Sequence, residues 1–344
     1  MERILYVNYM AQRGHVNFDT IQVDALLAAG HDVRIVAHKA IAAQMPYQAE
    51  RYAKVLPGFM GAECKNALVN RLLYIAALLY IRIAVRPSRF GRVVVSNADE
   101  ITLALAPLCR GMAVFCHNMA NGLANPVKRF FIRKLAKHNR FLVFNAHMAE
   151  PFRAMGMNNV AVVSHGCTAP WRNVGEQGVV DTSPFRFVVF HPSPSPDAAF
   201  VEAVAADRAL ARFLEDESVL LVLRNAKLPG GCRNIVSIDR YLPQVEYRAL
   251  FCSADAILVA YPQSFGYRVS GVSYECAANG KRALIKANPS FGYCADFFNY
   301  DPFFEDTAGL CRKIAYLKTN KEAACTATPE TLRPDHRAVI GQKP

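Results

Sequence analysis

Two doubly wound α/β domains of similar size, with a ligand cleft between them, are what the sequence predicts. Three observations lead there. Short apolar runs alternate with helical stretches along most of the chain. A turn-rich segment without apolar periodicity, Pro170 to Pro184, divides that series into two halves. The 344 residues, 52% apolar and 20% charged, suffice for two real cores and are not the composition of a disordered chain.

In the first half, Ile4 to Tyr9 reads as a buried strand and Asp19 to Ala29 as a helix closed by Gly30. Asp32 to Ala37, Arg92 to Ser96, Met112 to His117, Arg140 to Asn145 and Val160 to Ser164 read as further strands. In the second half the strands are Phe187 to Phe190, Val219 to Leu223, Ile235 to Ile238, Ala256 to Ala260 and Ala283 to Ile285. Strands alternating with helices imply parallel sheets covered on both faces. Two such halves place a ligand at the carboxyl ends of their strands. The expected division is an N-terminal domain over residues 1–169, a linker over 170–184, a C-terminal domain over 185–328 and a polar tail over 329–344. That tail reads either as loose or as a strap crossing back to the N-terminal domain.

Met1-Glu2-Arg3 leads straight into the first strand, so no signal peptide is read. The ten cysteines are scattered without CxxC or Cys/His clusters, which argues against zinc and for a reducing compartment. Charge is uneven. Residues 1–166 hold 20 Lys+Arg against 9 Asp+Glu, whereas residues 167–344 hold 20 against 19. A basic half suits an anionic surface. No nucleic-acid motif accompanies it, so lipid headgroups or a diphosphate-linked lipid are the expected partners, not nucleic acid.

Ala67 to Val85 is the most apolar segment, interrupted by Arg71 and Arg82. Its uncharged run, Leu72 to Ile81, is too short to span a bilayer. Two readings stand: an interfacial helix edged by arginines, or a core helix with snorkelling arginines. A second basic stretch, Lys128 to Arg140, reads as a helix whose Phe130, Phe131 and Leu135 face inward.

The most informative stretch is Tyr261 to Asp296. A polar loop ends in Ser270-Gly271, a short helix follows from Val272 to Ala278, Asn279-Gly280 stops it, and Arg282 to Ile285 is β-like. A helix starting at Ser-Gly offers unpaired backbone N–H groups and a positive dipole end, which suits a phosphate. Glu275, about one turn in, is placed to accept hydrogen bonds from sugar hydroxyls beside that phosphate. Arg268 is the best cation for a leaving diphosphate, with Arg224 and Lys227 after the second C-terminal strand as further candidates. Tyr267 and Tyr274 read as packing on a sugar or base, or as ordinary core.

These residues resemble the donor-site signature of GT-B glycosyltransferases, especially the retaining family 4 group. Phe265-Gly266, Glu275, Ala277 or Ala278, Gly280 and Lys281 match its usual pattern. The family often pairs two glutamates with seven residues between them, and here the first position is Tyr267. Many GT-B enzymes hold the diphosphate with an Arg and a Lys after the first C-domain strand. Here that loop, HPSPSPD, has neither. The resemblance implies that His117, at the end of MAVFCH, faces the transferred sugar. It implies that Gln12, Arg13 and His15, in the first βα loop, border the acceptor, and that His165-Gly166 sits at the hinge.

The expected function is transfer of a hexose from a nucleotide-sugar to a lipid-diphosphate-linked saccharide, in polysaccharide or glycolipid assembly. No metal and no cofactor beyond the nucleotide-sugar are expected. The expected outcome is retention, and the expected location is the cytoplasmic face of a membrane, held peripherally. A nucleotide-sugar epimerase is the runner-up enzyme. A noncatalytic binding partner of a transferase complex is the alternative outside catalysis.

Overall fold

A computed structural model describes residues 1–10, 15–61, 66–172, 175, 179–228 and 233–341. The chain forms two compact units, Met1–Gly166 with the segment from Arg333 onward, and Cys167–Leu332.

The first unit carries seven strands: β1 (Arg3–Val7), β2 (Asp32–His38), β3 (Tyr52–Leu56), β4 (Arg92–Val95), β5 (Ala113–Phe115), β6 (Arg140–Val143) and β7 (Val160–Val162). Their order is β3-β2-β1-β4-β5-β6-β7, and every pair is parallel. Its helices are α1 (Val16–Ala28), α2 (Lys39–Ala42), α3 (Ala67–Ala84), α4 (Glu100–Leu105), α5 (Met119–Gly122), α6 (Pro126–Ala136) and α7 (Ala146–Arg153). Ile4 to Val7 are all fully buried. A central parallel strand is covered on both faces, so its apolar run is continuous instead of alternating.

Asn or Asp caps four of these helices. Asn66, Asp99, Asn125 and Asn145 accept from the N–H groups of Leu68, Thr102, Val127 and Met148 at 2.8–3.0 Å. Each such cap contributes about 1 kcal/mol.

The second unit has six strands: β8 (Phe187–Phe190), β9 (Val219–Arg224), β10 (Ile235–Ile238), β11 (Ala256–Val259), β12 (Arg282–Lys286) and β13 (Phe303–Phe304). They are parallel in the order β10-β9-β8-β11-β12-β13. Helices α8 (Ala198–Ala206), α9 (Arg208–Asp216), α10 (Gln244–Ser253), α11 (Gly271–Asn279) and α12 (Thr307–Thr319) connect them. The last helix, α13 (His336–Ile340), belongs to the first unit and buries Val339 and Ile340 there.

Strand order reverses between β1 and β4 in one sheet and between β8 and β11 in the other. In open α/β sheets these switch points open a crevice at the carboxyl edge. Three differences from the sequence reading stand out. Strands β3 and β13 escape it because neither offers a readable apolar run: β3 is only half-buried, with Lys54 in its middle, and β13 has two residues. Trp171, Val179 and Val180, which fall in the segment read as a linker, pack against the core of the second unit. Phe130 of α6 faces outward, 64% exposed, while Ile132 and Leu135 are buried.

Helix α3 buries only Ala77, Leu78 and Ile81, so it is not a core helix. Its 18 residues are long and apolar enough to cross a membrane by length and composition. It is nonetheless docked on one side of its unit, beside α4, where Arg71 pairs with Asp99 at 3.5 Å.

Candidate functional site

In the second unit the carboxyl ends of the central strands are tied together by side chains. His191 follows β8 and is buried; its Nε2 lies 3.2 Å from the carbonyl of Ala260, just past β11. A carbonyl only accepts, so Nε2 carries the proton and Nδ1 keeps a lone pair. Nδ1 is buried without a hydrogen bond among the described residues. Burial lowers this imidazole to about 4. Arg224 ends β9 and donates through Nη1 to the carbonyl of Pro192 at 2.9 Å, with its Nε unpaired among the described residues. Burial also lowers the Arg224 guanidinium.

Helix α11 starts at this edge. Ser270 is its N-cap, and both its polar groups are already engaged. Its N–H donates to the Tyr293 hydroxyl at 3.0 Å, and its Oγ donates to the Tyr261 hydroxyl at 3.3 Å. Ser270 itself therefore anchors the helix end. The first-turn N–H groups that α11 offers belong to Gly271 and Val272. Gly271 is exposed, and a Cβ built on it would meet nothing within 4 Å. Gly280 ends the helix in the left-handed region at φ 61°, the conformation that favours glycine.

Arg268 is half-buried two residues before the cap. Its guanidinium lies 5.6 Å from the centre of the Phe265 ring, and its Nε is buried without a hydrogen bond among the described residues. Burial lowers its pKa. Glu275 is half-buried one turn into α11. Tyr247 of α10 donates to its Oε2 at 2.5 Å. Burial pushes the Glu275 carboxyl up to about 7, while the Tyr247 hydroxyl and the nearby Arg248 charge oppose that rise. Tyr267 is half-buried and Lys227 is exposed. Tyr274 is buried and stacks on Tyr293 at 5.8 Å, which makes it core.

In the first unit the same edge holds a cluster of rings. His117 follows β5, and its Nε2 lies 3.1 Å from the Ser96 carbonyl past β4. His15, the N-cap of α1, stands 4.4 Å from His117 between ring centres. Phe18, Phe144 and His165 surround His117 at 4.7, 4.8 and 6.5 Å. Burial holds His117 well below an ordinary imidazole, and the neighbouring His15 and His165 add to that. His15 and His165 each fall to about 4, mainly by burial. The cluster is therefore neutral at pH 7. Beside it, fully buried Asp19 accepts from Asn8 at 2.5 Å and Tyr6 at 3.0 Å, and burial lifts it to about 6.

The structure thus joins His15 to His117, and Ser270 to Tyr261 and Tyr293. Gln12 and Arg13 lie outside the described residues. The sequence reading missed Asp19, Asn8, His191 and Tyr247. His191 had a legible signal, a polar residue closing the apolar run of β8 as His117 closes that of β5. Tyr247 had none, because it meets Glu275 across 28 positions of sequence.

Comparison of the sequence with family models and with curated proteins finds no match. Solved structures do match. An α,α-trehalose-phosphate synthase (UDP-forming) from Burkholderia xenovorans is 13% identical, with 99% of this chain and 96% of that chain covered at a TM-score of 0.58. Anabaena HepE, solved in complex with UDP and glucose, is 11% identical over 99% and 94%, with a TM-score of 0.59. A UDP-N-acetylglucosamine 2-epimerase is 10% identical over 100% and 91%, with a TM-score of 0.55. Such identities speak for fold alone. With two parallel, doubly wound units in the strand order described above, the chain has the GT-B fold.

Proposed function

We propose that the chain is a glycosyltransferase that takes a hexose from a nucleotide-sugar. The observation that carries this reading is the start of α11. There the Gly271 and Val272 N–H groups, an Arg268 guanidinium with an unpaired Nε and the half-buried Glu275 lie within two helical turns. The helix end and Arg268 bind the diphosphate. They also stabilise the charge that builds on it as the glycosidic bond breaks. Glu275 keeps Oε1 without a partner among the described residues and accepts from the ribose hydroxyls. Arg224, Lys227 and Tyr267 complete the donor side. No metal ion is required, because helix N–H groups and guanidinium supply the positive charge.

His117 hydrogen-bonds the transferred sugar. Its Nε2 proton is committed to Ser96, so Nδ1 presents a lone pair to a sugar hydroxyl. An imidazole this far below its ordinary pKa stays neutral throughout, which suits a hydrogen-bond acceptor better than a general acid. Gln12, Arg13 and His15 belong to the acceptor side. The acceptor is a lipid-diphosphate-linked saccharide and the outcome is retention. The basic first unit is peripheral on the cytoplasmic face of a membrane. Support from the solved neighbours is limited to fold. Of those proteins, one is a UDP-forming synthase and another is held with UDP and glucose.

Tyr267, at the position of the family's first glutamate, favours one other reading, a noncatalytic nucleotide-sugar-binding partner. A thermal-shift screen against UDP, GDP, ADP, CMP and their sugar conjugates tests the donor site, because a native-state ligand raises Tm by mass action. A rise with one nucleoside diphosphate, together with donor hydrolysis, supports the transferase. Binding without hydrolysis or transfer supports the partner. No rise with any nucleotide overturns both. Conversion of the donor to its epimer would assign the chain to the epimerases that share this fold.

A further inference from the structure

The carboxyl-terminal turns of α3, α4 and α6 converge around a cavity of about 550 Å³ in the first unit. Its floor is apolar, with Ala104, Leu108 and Leu135 buried. Its walls carry Arg82, Arg110, Lys134 and Lys137, with His138 beside them, and among the described residues no carboxylate lines it. None of these four cations has an ion pair or side-chain hydrogen bond among the described residues. By contrast, Lys128 on the same α6 is paired with Glu100 at 2.8 Å.

Cations in last helical turns are favoured by the helix dipole, so that explanation has to be weighed first. Three helix ends contribute at most about −0.5 each. That offsets less than half of four positive charges, and Arg110 lies on no helix. The cavity therefore keeps a net positive field in want of an anion. It is not the reaction's anion site. Arg110 precedes β5 and His138 precedes β6, so the cavity opens at the amino edge of the sheet, whereas His117 follows β5 at the other edge.

The surface beside the cavity is apolar. Leu68, Leu72, Leu79 and Ile83 of α3 are 65%, 59%, 44% and 77% exposed. At 100° per residue they fall on one stripe of the helix, and Arg82 lies at its edge. Leu105, adjoining the cavity floor, is 54% exposed. A basic cavity beside an unpartnered apolar stripe is complementary to an amphiphile with an anionic head.

We propose that this cavity binds the phosphate headgroup of an anionic phospholipid, with Leu79, Ile83 and Leu105 seated in the acyl region of the bilayer. This deepens the membrane-surface part of the proposed function and does not depend on the donor site. It fixes which side of the first unit meets the membrane, namely the outer side of α3, α4 and α6.

Co-sedimentation of the full chain with phosphatidylcholine vesicles, with and without phosphatidylglycerol, tests it. The wild type is expected to bind only the anionic vesicles. The triple variant Arg110→Glu, Lys134→Glu, Lys137→Glu should bind them roughly a hundredfold more weakly. Leu79→Ser with Ile83→Ser should weaken them as well. Arg186→Glu, Arg208→Glu, Arg212→Glu, an equal charge change in the second unit, should leave them within about twofold. Three outcomes overturn the proposal: equal loss in both triple variants, equal binding to zwitterionic vesicles, or undiminished binding by the cavity variant. A fourth would replace lipid by a soluble ligand: the cavity triple losing affinity for inorganic pyrophosphate but not for vesicles. The nucleotide-induced Tm rise, measured on the same variants, reports separately on the donor site and on folding.

Discussion

The Tyr247 hydroxyl donates to Glu275 Oε2 at 2.5 Å and joins α10, which precedes β11, to α11, which follows it. Burial alone would drive the carboxyl further toward its neutral form, and this bond favours the charged form. The balance leaves Glu275 titrating near neutrality in the folded chain.

Donor affinity should therefore depend on pH through Glu275. Above about 7 the group is a carboxylate, the form that the proposed ribose contact requires; below it the group is protonated and accepts less well. Calorimetric titration from about pH 6 to about pH 8 should show affinity falling toward acid. Glu275→Gln should flatten that dependence. Tyr247→Phe, which removes the bond favouring the carboxylate, should move the midpoint upward. An unchanged profile in both variants would remove Glu275 from the site.

Arg268→Ala should weaken nucleoside-diphosphate binding by about tenfold to a hundredfold, the range for a charge-assisted hydrogen bond. Its Nε has no hydrogen bond among the described residues, so Tm without ligand should stay nearly constant. Arg224→Ala should lower Tm as well as affinity, because Nη1 also holds the Pro192 carbonyl. Isothermal titration beside thermal melting separates the two effects.

Acid should destabilise the first unit before the second. A histidine whose folded pKa is depressed stays neutral in the fold but takes a proton once unfolded, so stability is lost as pH falls below about 6.5. His15, His117 and His165 act this way in the first unit, as do His31 and His38. A carboxyl raised in the fold works oppositely, and stability is gained as pH falls through its folded value. Asp19 alone opposes the five histidines of the first unit, whereas Glu275 opposes the single His191 of the second. Each unmatched proton is worth about 1.4 kcal/mol per pH unit. Hydrogen exchange from about pH 7 to about pH 5 should show earlier loss of protection in β1, β4 and β5 than in β8, β9 and β11. The reverse order would contradict the buried-histidine account.

Gly166→Ala should destabilise the first unit by more than about 2 kcal/mol. Gly166 has φ +77°, and an added Cβ would stand 2.5 Å from Ile21 Cγ2 and 2.9 Å from Pro334 Cγ. Gly280→Ala has the same backbone strain at φ +61° but meets nothing within 4 Å. It should cost about 1 kcal/mol. Chemical denaturation of the pair measures how much of the first loss is collision.

Continuous apolar runs such as Phe187–Phe190 announced central strands because a parallel strand needs apolar side chains on both faces. Helix ends were legible where a local rule governs them, as with the Gly280 stop. The start of α11 and Glu275 one turn inside it belong to that local class, since a helix end is written within a few residues. A run broken by Lys54 and a strand of two residues give no such signal, so β3 and β13 did not show, whereas the edge strands β7 and β10 did.

Sequence by itself thus determined the alternation of strands and helices, the division into two parallel sheets and the position of the helix that begins at Gly271. Tertiary structure alone decided which polar groups are left over. Ser270 is consumed by Tyr261 and Tyr293, Glu275 is held by Tyr247, and His117 packs among His15, Phe18 and Phe144. It also decided that α3 turns an apolar stripe outward. The reason is one of range. Periodicity and caps act over a few residues, whereas burial and pairing depend on partners that the chain brings together from tens of residues away.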